Sequence, residues 1–238
     1  MLSIVIPARD EEKAIGDTVL QFAPLTTPHE VIVSDDDSKD GTVAAAQGAG
    51  ARVVTYSGDR HTPGRTRNAG AKVAQGEFIA FIDADVSVPD VETFFRRALA
   101  HFEHNPKLAG VCGPQRARHD IETWADRISF GILNTTLFLQ NNVFHRGEAS
   151  GKIMVVRKTA FDAVNGFRED IATREDGDFF NRLAKVGPTL FDSSLMIYHG
   201  ARRAHHVGWA RLWYIWLSNS IYFAVFNKTI AEDWKPVR

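Results

Sequence analysis

Apolar and polar positions in the first half of this chain follow two alternating periods. Four short apolar runs read as buried strands: Ser3 to Pro7, Val31 to Ser34, Arg52 to Thr55 and Phe78 to Ile82. The segments between and after them carry apolar residues at helical spacing. Ile15, Val19 and Phe22 mark one helix, Thr42 to Gln47 a short second with Asp40 as its N-cap, and Ala69 with Val73 a third ending near Gly76. After Pro89, Val91, Phe94, Phe95, Ala98, Leu99 and Phe102 form a strong amphipathic face. Strands and helices that alternate in this way predict a mostly parallel sheet covered by helices on both faces. The pattern loosens after a further strand from Leu108 to Gly113. A helix is expected within Ile121 to Leu139, then a polar, Gly-containing stretch from Asn141 to Gly151, then a strand from Lys152 to Val156. A last strand is expected over Leu195 to Tyr198. No repeat, low-complexity tract or linker divides the chain, so one α/β domain is expected.

Composition narrows the class without naming a function. The 238 residues, 44% hydrophobic, suffice for one large domain with a full core. A formal net charge of -1 gives no general electrostatic case for nucleic acid, and no such partner is expected. The single Cys112 allows no internal disulfide and reads as a buried strand residue in a reducing compartment. No basic and apolar leader stands ahead of Leu2, so the expected location is the cytoplasm.

The chemistry lies where apolar runs stop. Val31 to Ser34 runs into Asp35-Asp36-Asp37, and Phe78 to Ile82 runs into Asp83-Ala84-Asp85. In open α/β sheets ligands sit beyond the carboxyl ends of the strands, so both clusters point into one crevice. Carboxylates packed this closely stay ionised by holding a hard cation, and a di- or triphosphate is the usual ligand to bring one. A nucleotide-using site follows. Where the strand breaks into a turn, one carboxylate of Asp83-Ala84-Asp85 can take a metal and the other a ribose hydroxyl or a metal-bound water; the competing reading is that they cap the helix near Pro89. Hydride transfer and P-loop chemistry are disfavoured: Gly48-Ala49-Gly50 lies after a helix and lacks the third Gly, and Gly151-Lys152 leads to Ile153 rather than a hydroxyl residue.

Longer stretches carry a resemblance. Ser3-Ile4-Val5-Ile6-Pro7-Ala8-Arg9-Asp10-Glu11-Glu12, Val33-Ser34-Asp35-Asp36-Asp37-Ser38-Lys39-Asp40-Gly41-Thr42, Arg67-Asn68-Ala69-Gly70 and Phe81-Ile82-Asp83-Ala84-Asp85 occur in this order. Val156-Arg157-Lys158-Thr159-Ala160-Phe161, Asn165-Gly166-Phe167 and Arg174-Glu175-Asp176-Gly177-Asp178-Phe179 follow. From roughly Leu2 to Gly187 the chain resembles family 2 glycosyltransferases with the GT-A fold. That resemblance implies a GT-A domain over residues 1–200, with a nucleotide-sugar half to about 115 and an acceptor half from about 116; the aromatic pattern beyond it adds a helical tail over 201–238. It implies an inverting, metal-dependent transfer of a sugar from a nucleotide-sugar donor to a hydroxyl on a glycan or lipid-linked acceptor. Pro7, Arg9 and Glu11 would line the base and ribose, Asp36 would bind the nucleoside, and Asp83, Ala84 and Asp85 would form the DXD motif for nucleotide and Mn²⁺ or Mg²⁺. Arg67 matches a basic residue near the sugar nucleotide, with a solvated helix face as the equal alternative. Asp176 matches the catalytic base, and Glu175 beside it would orient it or bind the acceptor. A helix N-terminus favoured by acidic residues is the rival for this pair. Departures are Arg9, where the family often has Tyr or Phe, and Asn165 in place of the first Gly of the turn. No Gln-x-x-Arg-Trp motif occurs, which disfavours a processive synthase.

His199 could add a third metal ligand, and Arg202 and Arg203 could clamp a diphosphate or lipid phosphate, with surface solvation the alternative for the arginines, His205 and His206. Trp209 to Phe226 is densely aromatic, interrupted by Arg211 and Ser218-Asn219-Ser220. It reads as a helix lying at a membrane surface on the inner face of the cell, with Trp213 and Trp216 in contact, or as one packed on the domain or a second subunit. The alternatives for the whole chain are a polyprenyl-phosphate glycosyltransferase, a nucleotidyltransferase and a non-catalytic sugar-nucleotide binder. The second would want a Gly-rich basic loop where Asp10, Glu11 and Glu12 stand; the retained acidic pairs argue against the third.

Overall fold

The computed structural model describes residues 1–230. The alternation read from the sequence appears as β1 (Leu2–Ala8), α1 (Glu12–Leu20), β2 (His29–Asp35), α2 (Thr42–Gly48), β3 (Arg52–Thr55), α3 (Pro63–Val73) and β4 (Phe78–Ile82). Then come β5 (Val86–Ser87), α4 (Val91–His104), β6 (Gly110–Cys112), β7 (Gln115–Ala117) and α5 (Trp124–Phe138), which runs into a π turn over Leu139–Val143. The remainder is β8 (Ile153–Arg157), α6 (Lys158–Ala163), α7 (Glu175–Leu183), β9 (Thr189–Phe191), β10 (Ile197–His199), α8 (Arg202–Val207) and α9 (Trp209–Phe226). The strands β5, β7 and β9 are too short for an alternation to show in sequence.

The main sheet has the order β3-β2-β1-β4-β8-β6-β9. Only β8 runs antiparallel to its neighbours, so the sheet is mostly parallel as expected. The chain leaves β1 toward β2 and β3, then returns to place β4 on the other flank of β1. That reversal opens a crevice at the carboxyl ends of β1 and β4. A small second sheet, β5-β10-β7, continues beyond it.

The pleat sends alternate residues to two cores. Ile4, Ile6 and Val33 share a core with Ile15 and Val19 of α1, Phe22 just after it, and Phe95 and Phe102 of α4. Val5, Ile32, Ile79 and Phe81 face Ala71 of α3 and an aromatic group of Phe161, Phe167, Phe179 and Phe180. Deleting one such ring costs about 3–5 kcal/mol. Helix α4 is capped by Asp90, whose carboxylate accepts from the Thr93 amide at 2.9 Å, so Asp83 and Asp85 are not its caps. The N-cap of α2 is Gly41, not Asp40; Asp40 stands one residue earlier, and its carboxylate accepts from the Thr42 amide at 3.0 Å. In the turn after α6, Asn165 and Gly166 both hold positive φ, 56° and 64°. Asn tolerates that region better than other side chains, which explains its standing for Gly.

Helices α8 and α9 pack onto the α/β body rather than hanging free. Trp209 donates to Asp126 at 2.7 Å and meets the Phe130 ring edge-on, while Trp213 donates to Ser129 at 3.2 Å. His205, though exposed as the surface reading expects, also donates to Asp126 at 2.9 Å. The polar break of the tail turns inward: Ser220 accepts from Arg174 at 3.0 Å, and Asn219 is buried. Tyr214, Leu217, Ile221 and Val225 point outward, 58–72% exposed. Among the described residues no helix is long and apolar enough to cross a membrane. The tail expected over 201–238 extends past the described residues at 231–238.

Candidate active site

Three strand ends build the first wall. After β2, the Asp36 amide donates to the Ala8 carbonyl at 2.8 Å, which ties β1 to β2 where both stop. The Asp36 carboxylate is buried and faces Arg9 Nη1 at 3.5 Å and His61 Nδ1 at 2.9 Å. Pro7 pairs with Ser34 one residue before β1 ends, and Glu11 precedes α1. Beyond β4 the chain turns sharply, with the Val86 amide donating to the Asp83 carbonyl at 3.2 Å. The turn brings Asp83 and Asp85 to one ammonium, Lys152 Nζ, at 3.1 and 2.8 Å. Ala84 does not join them. Its side chain sits in the core, and its carbonyl accepts from Thr18 Oγ1 at 2.6 Å.

Cations hold this acidic wall in place. Arg67 is buried, not a solvated helix residue: it donates to Glu175 at 2.6 Å, to Asp83 at 3.0 Å and to the Gly151 carbonyl at 3.2 Å. The Phe167 ring lies 5.5 Å beneath its guanidinium. A Cβ on Gly151 would come within 2.6 Å of Arg67 Nη2, so only glycine lets the chain approach so closely. Arg202 donates to Glu11 at 2.7 Å and lies 3.4 Å from Asp85. Burial works to raise the Asp85 carboxyl, yet Lys152, His199 and Arg202 overrule it and hold the group well below the usual range. Burial likewise opposes the Lys152 charge, and Asp85 and Asp83 more than offset it. A cleft of about 970 Å³ borders the wall along Glu11, Asp85 and Arg202.

The second wall comes from α7. Arg174, at a left-handed φ of 64°, precedes the helix, whose first residues are Glu175 and Asp176. Glu175 is buried and paired with Arg67 at 2.6 Å. Asp176 is half-buried, accepts from the Gly177 amide at 2.8 Å, and a Cβ on Gly151 would lie 3.3 Å from its Oδ2. Burial raises the Asp176 carboxyl against the pull of Arg67, and burial with the Asp176 charge raises Glu175. Glu148 packs beside them, paired with Arg174 at 3.1 Å, and burial pushes it up to about 7.

His199 stands across the small sheet from Val86, the neighbour of Asp85. Burial and Lys152 push its pKa down to about 3, so the ring is neutral, as a metal ligand must be. Its Nε2 is buried without a partner, and Nδ1 accepts from the Ala201 amide at 3.1 Å. That bond is exchanged if a metal takes Nε2, because the ring proton then moves to Nδ1. Asp83 and Asp85, brought to one ammonium, are of the type to ligate a divalent cation, with most of its shell left to other ligands: no group of three or more ligating side chains is gathered among the described residues.

Lys152, His61, Glu148 and the role of Arg174 escape a reading of the sequence. Lys152 carries no local signal, because only the fold shows that β8 is antiparallel and that its amino end, not its carboxyl end, meets the crevice. Ile82 pairs with Ile153, which sets Lys152 against Asp83. His61 sits in a loop with no periodicity, and Glu148 and Arg174 meet only through the fold.

Comparison with known proteins gives the family and the fold. The family model "Glycosyl transferase family 2" matches residues 3–164. A segment of 92 residues is 39% identical to the 4,4'-diaponeurosporenoate glycosyltransferase of Staphylococcus aureus (strain USA300), covering 36% of this chain and 24% of that relative. The match thus spans about a quarter of the relative's length. The mannosyltransferase PcManGT from Pyrobaculum calidifontis, solved with GDP-Man and Mn²⁺, superposes with a TM-score of 0.73 at 17% identity, over 94% of this chain and 63% of that one. Staphylococcus aureus TarS in complex with UDP-GlcNAc gives a TM-score of 0.66 at 20% identity, over 83% of this chain and 57% of that one. These likenesses show a shared fold, a mostly parallel sheet with helices on both faces, and with the family match they make this chain a member of glycosyl transferase family 2.

Proposed function

We propose that this chain moves a sugar from a nucleotide-sugar donor to a hydroxyl acceptor with inversion at the anomeric carbon. The observation that carries the reading is the bridge made by Arg67, which ties Asp83 of the strand-end wall to Glu175, the neighbour of Asp176. One wall is suited to a nucleoside diphosphate and the other to an acceptor. Asp36, fixed by Arg9 and His61, accepts hydrogen bonds from the nucleoside, with Pro7 and Glu11 beside it. Asp83, Asp85 and His199 would hold Mn²⁺ or Mg²⁺, which supplies charge neutralisation to the departing diphosphate. Arg202, with a planar fork and only partial cover, can take a phosphate oxygen. Asp176 receives the acceptor proton as the hydroxyl attacks from the side opposite the leaving group. Its raised pKa suits it to hold that proton. Glu175 keeps Arg67 in register and does not touch substrate. Donor hydrolysis checks the reading: purified protein with Mn²⁺ should release nucleoside diphosphate from one class of sugar nucleotide, and release from none would overturn it.

The acceptor side favours a lipid-linked substrate reached at a membrane surface. Trp124, Ile128 and Ile132 on α5 and Leu217, Ile221 and Val225 on α9 are more than half exposed, and Arg211 and Lys228 are exposed to meet anionic headgroups. Trp213 and Trp216 are half-buried and meet edge to face, and Trp213 is bonded to α5, which favours the exposed aliphatic residues over them as contact residues. Binding to anionic liposomes, released by high salt, is the expected result.

A further inference from the structure

Lys152 has no part in the reading above, yet it sits at its centre. Its ammonium lies 2.8 Å from Asp85 Oδ1 and 3.1 Å from Asp83 Oδ2, bridging the two carboxylates that a divalent cation needs. Arg67 and Arg202 also touch this pair, but each is anchored by a second carboxylate, Glu175 or Glu11. Lys152 pairs with Asp83 and Asp85, and its flexible stem lets it leave. A second observation points the same way: His199 Nε2, next to Asp85 across the β5–β10 pair, is buried and unpartnered while the lysine holds the carboxylates.

A divalent ion and an ammonium that share the same two carboxylates repel each other, so one must displace the other. We propose that Lys152 is a built-in counter-ion, which holds Asp83 and Asp85 in the ligand-free protein and gives them up when a divalent cation arrives with the donor. The donor diphosphate then offers the ammonium a new anionic partner. The inference rests on the metal-dependent reading above. It makes cation and nucleotide binding cooperative, because each removes the obstacle to the other.

Titration of Mn²⁺ into the full chain, followed by the electron paramagnetic resonance of free Mn²⁺, tests this without turnover. In the absence of nucleotide, Lys152→Gln should bind Mn²⁺ about tenfold or more tightly than the unchanged protein, a gain of about 1.4 kcal/mol. Addition of UDP or GDP should tighten Mn²⁺ binding strongly in the unchanged protein and far less in Lys152→Gln. Lys152→Arg keeps a cation on the pair and should bind no more tightly than the unchanged protein, which provides a readout if the Gln variant misfolds. Equal Mn²⁺ affinities for folded Lys152→Gln and the unchanged protein overturn the inference alone, as does a tenfold gain in Lys152→Arg. Absence of Mn²⁺ binding by every form, even with either diphosphate, overturns both this inference and the metal-dependent reading.

Discussion

The wall made by β1, β2 and β4 and the wall made by α7 are built by opposite means. In the first, each carboxylate stands where a strand ends, and cations from elsewhere in the chain, Arg67, Lys152 and Arg202, pair with Asp83 and Asp85 there. In the second, each group is placed by a partner far along the chain: Arg67 on α3 reaches Glu175, Arg174 reaches Glu148 and Ser220, and α8 with α9 is docked through Asp126. The first wall is therefore pre-organised by the sheet, while the second depends on the completed fold. Changes confined to the first should alter ligand binding with little loss of stability, and changes at the junction should alter both.

The largest effect is expected at the strand-end wall itself. Asp85→Asn should lower turnover on the order of a thousandfold and weaken Mn²⁺ binding, while unfolding by urea shows a folded protein. Excess chelator should reproduce the loss in the unchanged protein. Breaking the junction comes next. Arg67→Met strands Glu175 as a buried, unpaired carboxylate, and a cost of about 3–5 kcal/mol in urea unfolding is expected, with activity lost alongside. A stable and active Arg67→Met would mean that the two walls are independent.

Asp176→Asn sharpens the contrast between the walls. It should lower kcat on the order of a hundredfold while donor affinity, measured by calorimetry, stays within about twofold. In the unchanged protein kcat should fall as pH drops, because a protonated base accepts nothing. The raised carboxyl places that fall above the ordinary value of 3.8, and Asp176→Asn should lack it. The smallest effect belongs to the outer face of the tail. Replacing Leu217, Ile221 and Val225 with Ser should reduce liposome binding and leave hydrolysis of a soluble donor within about twofold, since these side chains point away from the body.

The same contrast explains what could be read in the sequence. Strand runs and the acidic residues that end them are local, so β1 to β4, Asp36, Asp83 and Asp85 are legible from a short window. Asp90 settles the capping question only because its bond to the Thr93 amide is visible in the fold. Arg67 looked no different from a solvated helix arginine, since its burial comes from Phe167 and Gly151, about a hundred residues away. Lys152 was hidden by direction: nothing in its neighbourhood says that β8 runs antiparallel and brings its first end to the crevice. The composition of the tail is legible but not its faces: Trp213 and Trp216 are half-buried, while Leu217 and Ile221 are exposed.

Thermal unfolding in the presence of Mn²⁺ and a panel of nucleoside diphosphates and sugar nucleotides tests the central claim most directly. A ligand that binds only the folded state raises the midpoint by mass action. The account predicts that one base is selected, that its shift vanishes in chelator and in Asp85→Asn, and that it survives in Asp176→Asn. No shift with any nucleotide, or a shift unchanged by chelator and by Asp85→Asn, would contradict a cation-dependent nucleotide site at the ends of β1, β2 and β4.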